Sequence, residues 1–405
     1  MRANRKRTKS VLSLTLAVFL AGWLAACSDQ APTSLPAKTL TRTPDNLTQK
    51  GTKNLGNQQK AEQTYQAINK IFYRDNLKLY VERTEPKEGD KDYSTLWPFS
   101  GMLSALNAMA TMPDNGANYK TELRRVLNEL EQYWDSHGAP PAYDSYVVKF
   151  GGGPKFYDDN EWLGLDFVEA YHTLGDSQYL KKAEAMFDFA ISGWSDDFGG
   201  GIYWRENDPS TKNTCSNGPA AVLALKLYQE THEARYLDWA KKILNWTRQL
   251  KAPSGVYWDH VMLGGELDKR TFTYNTGTIL HSNALLYQIT GDKTYLSEAQ
   301  ALAQASLAYF TTQDTRSGLA FYPDTPWFNA VLLKGYLALY QADPAHDPRY
   351  IQSMKSNLDW AWEHARDGRG LFSPDWTGQS GVTNPSKWIL DQAAMVELYA
   401  LFTRF

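Results

Sequence analysis

A Tyr followed by an aliphatic residue returns four times in the chain, at Tyr179-Leu180, Tyr236-Leu237, Tyr295-Leu296 and Tyr350-Ile351, with spacings of 57, 59 and 55 residues. A repeat of this length is one supersecondary unit that cannot bury its apolar face alone, so neighbouring units must stack. Three residues before each Tyr stands an acid, Asp176, Glu233, Asp292 or Asp347, at the position of a helix N-cap. Asp347-Pro348 would add proline at the first helical position. Gly175 and Gly291 sit where a preceding helix needs a left-handed residue to end. Each unit therefore reads as helix, tight turn, helix. The second helices run into Gly-aromatic connections: Gly199-Gly-Gly-Ile-Tyr-Trp204, Ser254-Gly-Val-Tyr-Trp-Asp259, Ser317-Gly-Leu-Ala-Phe-Tyr-Pro-Asp324 and Gly370-Leu-Phe-Ser-Pro-Asp375. Helical segments near 61–80, 97–112, 119–134 and 387–401 bring the total to about twelve. Twelve alternating helices predict an all-α fold, an (α/α)6 barrel of six helical hairpins over residues 60–405. An open solenoid is the alternative, because repetition alone does not close a ring.

The N-terminus stands outside this pattern. Arg2, Arg5, Lys6, Arg7 and Lys9 precede an apolar run from Val11 to Trp23, too short and too early for a transmembrane helix, so residues 1–26 read as a signal peptide. The run ends in Leu24-Ala-Ala-Cys27, which resembles a bacterial lipobox with Cys27 as the lipidated residue. Residues 27–59 are polar and aperiodic and read as a flexible linker. Together these segments predict an exported protein, lipid-anchored to the extracytoplasmic face of the bacterial cell membrane. Of 42 Lys and Arg, five lie in 1–26, whereas none of the 45 Asp and Glu do, so the mature chain carries a formal charge of −8. That balance argues against a nucleic-acid partner. Cys215 is the one other cysteine, so the mature chain has no internal disulfide available and must rest on its core.

In a ring of hairpins the inner helices share one polarity, and their N-termini gather at one mouth with the loops that precede them. Asp158 and Asp159, side by side in Lys155-Phe-Tyr-Asp-Asp-Asn-Glu-Trp162, fall at the start of such a helix, where the dipole favours anions. Asn217, Tyr274 and Asn275 fall at the starts of others. Tyr203, Trp204, Tyr257, Trp258 and Tyr322 lie in the mouth loops, and their flat faces suit the C–H surface of a sugar. Trp239, Trp246 and Trp362 lie on helices and read as core. Two carboxyls in one cleft are the minimum apparatus for glycoside hydrolysis, one attacking or activating water and one protonating the leaving oxygen. Repulsion between them would push their pKa values apart and leave one as a proton donor.

Other chemistries find less support. The seven histidines form no H-E-x-x-H or other close metal-ligand pair. Gly151–Gly153 and Gly199–Gly201 lack the Lys-Ser/Thr of a phosphate loop, and no G-x-S-x-G elbow occurs. Cys215 has no basic partner nearby in sequence and reads as a small buried thiol.

The motifs Tyr157-Asp-Asp-Asn160, Trp162, Ala170-Tyr171 and Gly175-Asp176 resemble those of the bacterial endo-α-1,6-mannanases of glycoside hydrolase family 76. So do Ser216-Asn-Gly-Pro219, Tyr236-Leu-Asp-Trp-Ala240, Tyr257-Trp-Asp259 and Phe272-Thr-Tyr-Asn275 followed by Gly277. The resemblance implies an (α/α)6 fold and retaining cleavage within chains of α-1,6-linked mannose. It implies Asp158 as nucleophile and Asp159 as general acid/base, with Trp204, Asn217, Trp258, Asp259, Tyr274 and Asn275 binding the mannan substrate. It implies no cofactor, and a monomer is expected. Two departures stand out. Thr276 replaces an expected Gln, and Thr214-Cys215 replaces a more apolar pair, and both could alter substrate choice. Alternatives are another (α/α)6 carbohydrate-active enzyme, namely an unsaturated uronyl hydrolase, an epimerase or a mannan transglycosylase, or a non-catalytic glycan-binding lipoprotein. A uronate substrate would call for a basic cluster at the mouth, where Arg205, Lys212, Lys269 and Arg270 are scattered.

Overall fold

The computed structural model describes residues 55–322, 325–379 and 386–405. The signal peptide, Cys27 and most of the linker lie outside the described residues, as do Pro323 and Asp324. Within them run twelve α-helices: α1 Asn57–Phe72, α2 Leu96–Ala110, α3 Lys120–Leu130, α4 Tyr157–Leu174, α5 Ser177–Ser192, α6 Thr214–Thr231, α7 Ala234–Thr247, α8 Thr273–Thr290, α9 Lys293–Phe310, α10 Pro326–Ala342, α11 Arg349–His364 and α12 Ile389–Leu401. The domain therefore starts earlier than residue 60, which lies in the first turn of α1.

Two kinds of helix alternate. On the odd-numbered helices one stripe is buried at spacings of three and four, as at Tyr236, Ala240, Ile243, Leu244 and Thr247 of α7, the pattern of a helix with one face to solvent. On the even-numbered helices buried positions lie all round the helix, most completely on α2 and α12, so these form the inner layer. The inner helices pack in cyclic order, α2 on α4, α4 on α6, α6 on α8, α8 on α10, α10 on α12 and α12 back on α2. The ring is closed, and the solenoid alternative falls. Five hairpins are consecutive in the chain, but the sixth joins its two ends: α1 packs on α12, and the Asn57 side chain donates to the Phe402 carbonyl at 3.0 Å. Close approach within the inner ring rests on small residues. A Cβ on Gly277 would stand 2.7 Å from the Leu332 Cα, and one on Gly335 2.7 Å from the Gly277 carbonyl oxygen.

The turns between paired helices follow the repeat. Asp176 and Asp292 cap α5 and α9 by accepting from Gln178 N–H and Thr294 N–H. Gly175 and Gly291 end α4 and α8 in the left-handed region, where His232 does the same for α6. Helix α11 begins at Arg349, so Pro348 is its N-cap rather than its first helical residue, and Asp347 accepts from Arg349 N–H.

Inner helices start differently. None has a side-chain cap, and the residues before them include Phe156, Phe272 and Trp388. Instead the fourth residue of the helix grips the loop that leads to it. Asn160 accepts from Tyr143 N–H at 2.9 Å and donates to the Tyr143 carbonyl at 3.1 Å. Asn217 does the same with Ile202, at 2.9 and 3.0 Å, and Gln392 with Phe372, at 2.7 and 3.1 Å. Buried loop backbone needs partners, and one amide side chain satisfies both groups of one residue. Thr276, fourth in α8, makes only one such bond, from Tyr257 N–H at 3.1 Å. Thr276 thus clamps the loop through one bond where Asn160, Asn217 and Gln392 use two.

The loops leading into α6 and α8 also pair as a small antiparallel sheet not foreseen from sequence, β1 Thr211–Asn213, β2 Trp258–Met262 and β3 Leu267–Thr271. Its order is β1-β2-β3, with Asn213 opposite His260 and Val261 opposite Leu267.

Candidate active site

The second and third residues of the inner helices make six equivalent pairs around the mouth: Trp97 and Pro98, Asp158 and Asp159, Cys215 and Ser216, Tyr274 and Asn275, Trp327 and Phe328, Leu390 and Asp391. Contacts run between these positions across helices. Tyr274 stacks on Phe328 with ring centroids 4.2 Å apart, Trp97 meets Trp327 at 5.4 Å, and Trp162, one turn deeper in α4, meets Trp327 at 4.9 Å. Trp388 joins through Trp97 at 5.2 Å. Trp97, Trp162, Trp327, Phe328 and Trp388 thus build an aromatic floor that the sequence reading missed. Helix register would have revealed it, since four of the five fall in the first turn of an inner helix or immediately before it.

Asp158 and Asp159 occupy the first turn of α4. Both are enclosed by protein yet reachable by solvent, but their surroundings differ. Asp158 accepts from the Trp204 indole Nε1 and from its neighbour's backbone N–H, each at 3.1 Å, and the Cys215 thiol also favours its ionised form. Burial raises the Asp158 pKa above the usual carboxylate range, and these groups, the thiol and indole foremost, oppose the rise. Asp159 has no such donors among the described residues. Burial pushes it well above the usual range, and the charge of Asp158 pushes it further. Glu161 lies one turn in, fully buried and without a side-chain partner, and burial holds it high as well, reinforced by Asp158.

Trp204 owes its place to main-chain bonds on both sides. Its carbonyl accepts from Tyr157 N–H at 3.0 Å, and its N–H donates to the Thr211 carbonyl at 3.1 Å, while Phe156 packs on its ring at 4.8 Å. The loop before it is held by Lys212, whose Nζ donates to the carbonyls of Ser195, Asp197 and Gly200 at 2.8, 2.7 and 2.7 Å. Burial lowers the Lys212 pKa to about 8, opposed by Asp197 and Asp196.

The other expected residues divide. Asn275 donates to Asp259 at 3.3 Å, and its Oδ1 is buried with no partner among the described residues; both stand at the mouth beside Tyr274. Trp258 is half-buried, with Lys269 Nζ 5.4 Å from its ring centre. Asn217 is fully buried and engaged on backbone: besides the two bonds to Ile202 it donates to the Asn213 carbonyl at 2.8 Å. It positions the Trp204 loop and has nothing left for a sugar. Tyr257 and Tyr322 are also buried; the Tyr322 hydroxyl bonds to Tyr336 and Ser353, and both side chains pack inward rather than facing the mouth. Trp246 and Trp362 are core as expected, and Trp239 is half-buried against Trp194.

Two further features were not read from sequence. Asp391 takes the position in α12 that Asp159 takes in α4; it is buried, and burial raises it to about 7 against the pull of Arg83 and Lys387. Asp259, His260 and Asp268 bring three ligand-type atoms within 4.8 Å of one another. Arg270 already fills that cluster, reaching Asp268 at 2.9 Å and Asp259 at 3.4 Å, which makes it an ion-pair network with the cation supplied by the chain itself.

The family model for Glycosyl hydrolase family 76 matches residues 57–401. A mannan endo-1,6-alpha-mannosidase of Saccharomyces cerevisiae is 29% identical over 147 residues, 33% of this chain and 33% of its own length. One from Candida albicans is 28% identical over 255 residues, 58% and 55% of the two chains. The chain thus spans from about a third to just under two thirds of the length of the curated relatives it matches. Among solved structures, the family 76 mannosidase of Bacteroides thetaiotaomicron VPI-5482 superposes with a TM-score of 0.78 at 29% identity, covering 86% of this chain and 98% of that one. An inactive variant of the α-1,6-mannanase of Salegentibacter sp. HEL1_6, with two consecutive aspartates changed to asparagine and α-1,6-mannotriose bound, gives 0.71 at 25% identity, covering 86% and 99%. With a match running from the first helix of the barrel to the last, the chain belongs to glycosyl hydrolase family 76.

Proposed function

We propose that the protein is a retaining, endo-acting hydrolase of α-1,6-mannosidic linkages in α-mannan, with Asp158 as nucleophile and Asp159 as general acid/base. The observation that carries this reading is the asymmetry of the pair. Asp158 has the Trp204 indole and the Asp159 backbone N–H as hydrogen-bond donors that favour its ionised form, whereas Asp159 has none among the described residues and feels its neighbour's charge. Adjacent residues have Cα atoms only about 3.8 Å apart. That favours the carboxyl spacing of about 5–5.5 Å typical of retaining enzymes over the 6.5–9.5 Å that leaves room for an attacking water. The doubly substituted, inactive relative and its bound α-1,6-mannotriose support both the pair and the substrate.

In the first step the Asp158 carboxylate attacks the anomeric carbon while Asp159 gives its proton to the departing oxygen. In the second, Asp159 takes a proton from water, and the water oxygen displaces Asp158 from the sugar. The two carboxyls close the proton balance without a cofactor. Trp204, Trp258, Asp259, Tyr274 and Asn275 are the side chains we assign to the sugar subsites, and Asn217 leaves that set. A uronate-directed enzyme is less well supported, because Lys212, Arg205 and Arg270 are all engaged internally, with carbonyls, Asp208 and Asp268.

The test is release of oligosaccharides from linear α-1,6-mannan. Asp158→Asn and Asp159→Asn should each abolish it with the fold intact. On a mannoside whose leaving group needs no protonation, Asp159→Asn should keep forming the intermediate and Asp158→Asn should not. The reverse pattern would exchange the roles. We also propose export and lipid anchoring through Cys27; Cys27→Ser should release the protein from membranes, and unchanged membrane association would reject the anchor.

A further inference from the structure

Lys212 is a fully buried lysine whose ammonium is met by oxygens of one loop rather than by a carboxylate. Besides the carbonyls of Ser195, Asp197 and Gly200 it donates to Ser195 Oγ at 2.8 Å, and the Tyr203 ring lies 4.6 Å from it. The Asp197 carboxyl is engaged by the hydroxyls of Tyr203 and Ser195, at 2.6 and 2.9 Å. The carbonyls converge because the backbone is bent to bring them together. Phe198, Gly199, Gly200 and Gly201 follow one another in the left-handed region, with φ of 56, 76, 121 and 92°. Phe198 is strained there, and a Cβ on Gly200 or Gly201 would stand 2.5 Å from the Trp194 or Trp246 ring. A buried ammonium without a counter-charge and a strained turn both cost stability, and such costs concentrate where a site needs a fixed geometry.

What this arrangement holds is Trp204. The turn lies upstream of it, where Tyr203 N–H donates to the Gly193 carbonyl at 3.0 Å. Lys212 lies downstream, next to Thr211, whose carbonyl accepts from Trp204 N–H at 3.1 Å. Lys212 therefore ties together the two arms of the loop that carries Trp204, and the Trp204 indole donates to Asp158 at 3.1 Å. We propose that Lys212 is a positioning residue for the reaction: its ammonium fills a cage of four oxygens at the root of the Trp204 loop and so fixes the indole against Asp158. The proposal rests on the role given to Asp158 above. Lys212 touches no substrate and gives up no proton. The cage recognises a primary ammonium, a cation with three N–H donors, and should accept a free one when the side chain is cut back to Cβ.

A lysine that merely braces the fold would lower Tm on replacement but leave kcat of the folded enzyme and the setting of the indole as they were. The experiment takes the full chain carrying Cys27→Ser as parent. It adds Lys212→Ala, which leaves room for propylammonium, or Lys212→Met, which fills the space without charge. On α-1,6-mannan oligosaccharides kcat should fall about 10–100-fold in both, with a smaller rise in KM. Propylammonium should restore kcat to Lys212→Ala and not to Lys212→Met, and tetramethylammonium, a cation without N–H, should restore it to neither. Proton NMR reads the loop without substrate. The Trp204 indole N–H, assigned by its loss in Trp204→Phe, should shift in both variants and return in Lys212→Ala with propylammonium. Unchanged kcat, a loss in Lys212→Ala that propylammonium does not reverse, or an indole resonance that stays in place would overturn the proposal. Failure of both variants to fold would overturn it too, since Lys212 would then serve the fold as a whole; where only Lys212→Met folds, its kcat and its indole resonance decide. If the parent releases no sugar from the mannan, the enzymatic reading fails instead, and the indole resonance still decides whether Lys212 holds Trp204.

Discussion

At the scale of single residues, three acids crowd into the first two turns of α4, and their protonation is what the chemistry uses. Asp158 has the Trp204 indole and the Asp159 N–H as donors and ionises first; Asp159 and Glu161 are held high by burial and by the charge of Asp158. Glu161 is then a neutral group beneath the pair. Glu161→Gln, an isostere of the protonated acid, should leave kcat/KM within about two-fold and the acid limb in place. Were Glu161 ionised, removing its charge would lower the Asp158 pKa and move the acid limb down, and a pH–rate profile of the variant distinguishes the two. The activity itself should have its acid limb above the ordinary carboxylate range. The sign follows from Asp158: its folded pKa is raised, so it becomes a competent nucleophile only as pH rises through that raised value.

At the scale of elements, the inner helices are positioned by their fourth residues rather than by caps. Asn217→Ala would leave the Ile202 N–H and carbonyl unpaired in a buried loop and should cost roughly 2–4 kcal/mol. Because that loop carries Trp204, the surviving fold should also lose kcat more than it gains in KM; loss of stability with unchanged kcat would show the clamp to be independent of the site. Much of the outer layer was legible in sequence. Tyr179, Tyr236, Tyr295 and Tyr350 mark one buried stripe each, and the acids before them are local signals for a helix start. Asp158 and Asp159 were legible for the same reason, being adjacent and in register with a helix. What was not legible depends on long-range pairing. Nothing local in Asn57–Phe72 says that it packs on Ile389–Leu401, and strands of three to five residues in loops separated by a whole hairpin carry no pattern of their own. Tyr257 and Tyr322 mislead because polar loop context does not say which way a ring turns. Asn217 misleads because a buried amide that holds backbone looks, in sequence, like one that holds sugar.

At the scale of the molecule, closing the ring brings the ends of twelve helices to two opposite faces and concentrates polar groups where one face opens. Some of those groups cost stability. Asp391 is raised to about 7 in the folded protein. Below about pH 4 the acid is protonated whether folded or unfolded and costs nothing. As pH rises toward 7 the unfolded chain ionises first, and the cost grows to roughly 4 kcal/mol once the folded group ionises as well. Asp391→Asn should therefore raise Tm clearly at pH 8 and hardly at pH 4. An equal gain at both would mean that the substitution acts through packing.

The claim on which the whole account turns is that the adjacent acids at this mouth perform retaining cleavage of α-1,6-mannan. Time-resolved NMR of the anomeric protons during digestion of linear α-1,6-mannan reads it directly. The account predicts that the new reducing ends first appear as the α anomer and then relax toward the equilibrium mixture, with no release by Asp158→Asn. New ends that appear first as the β anomer, or release that survives Asp158→Asn, would contradict it.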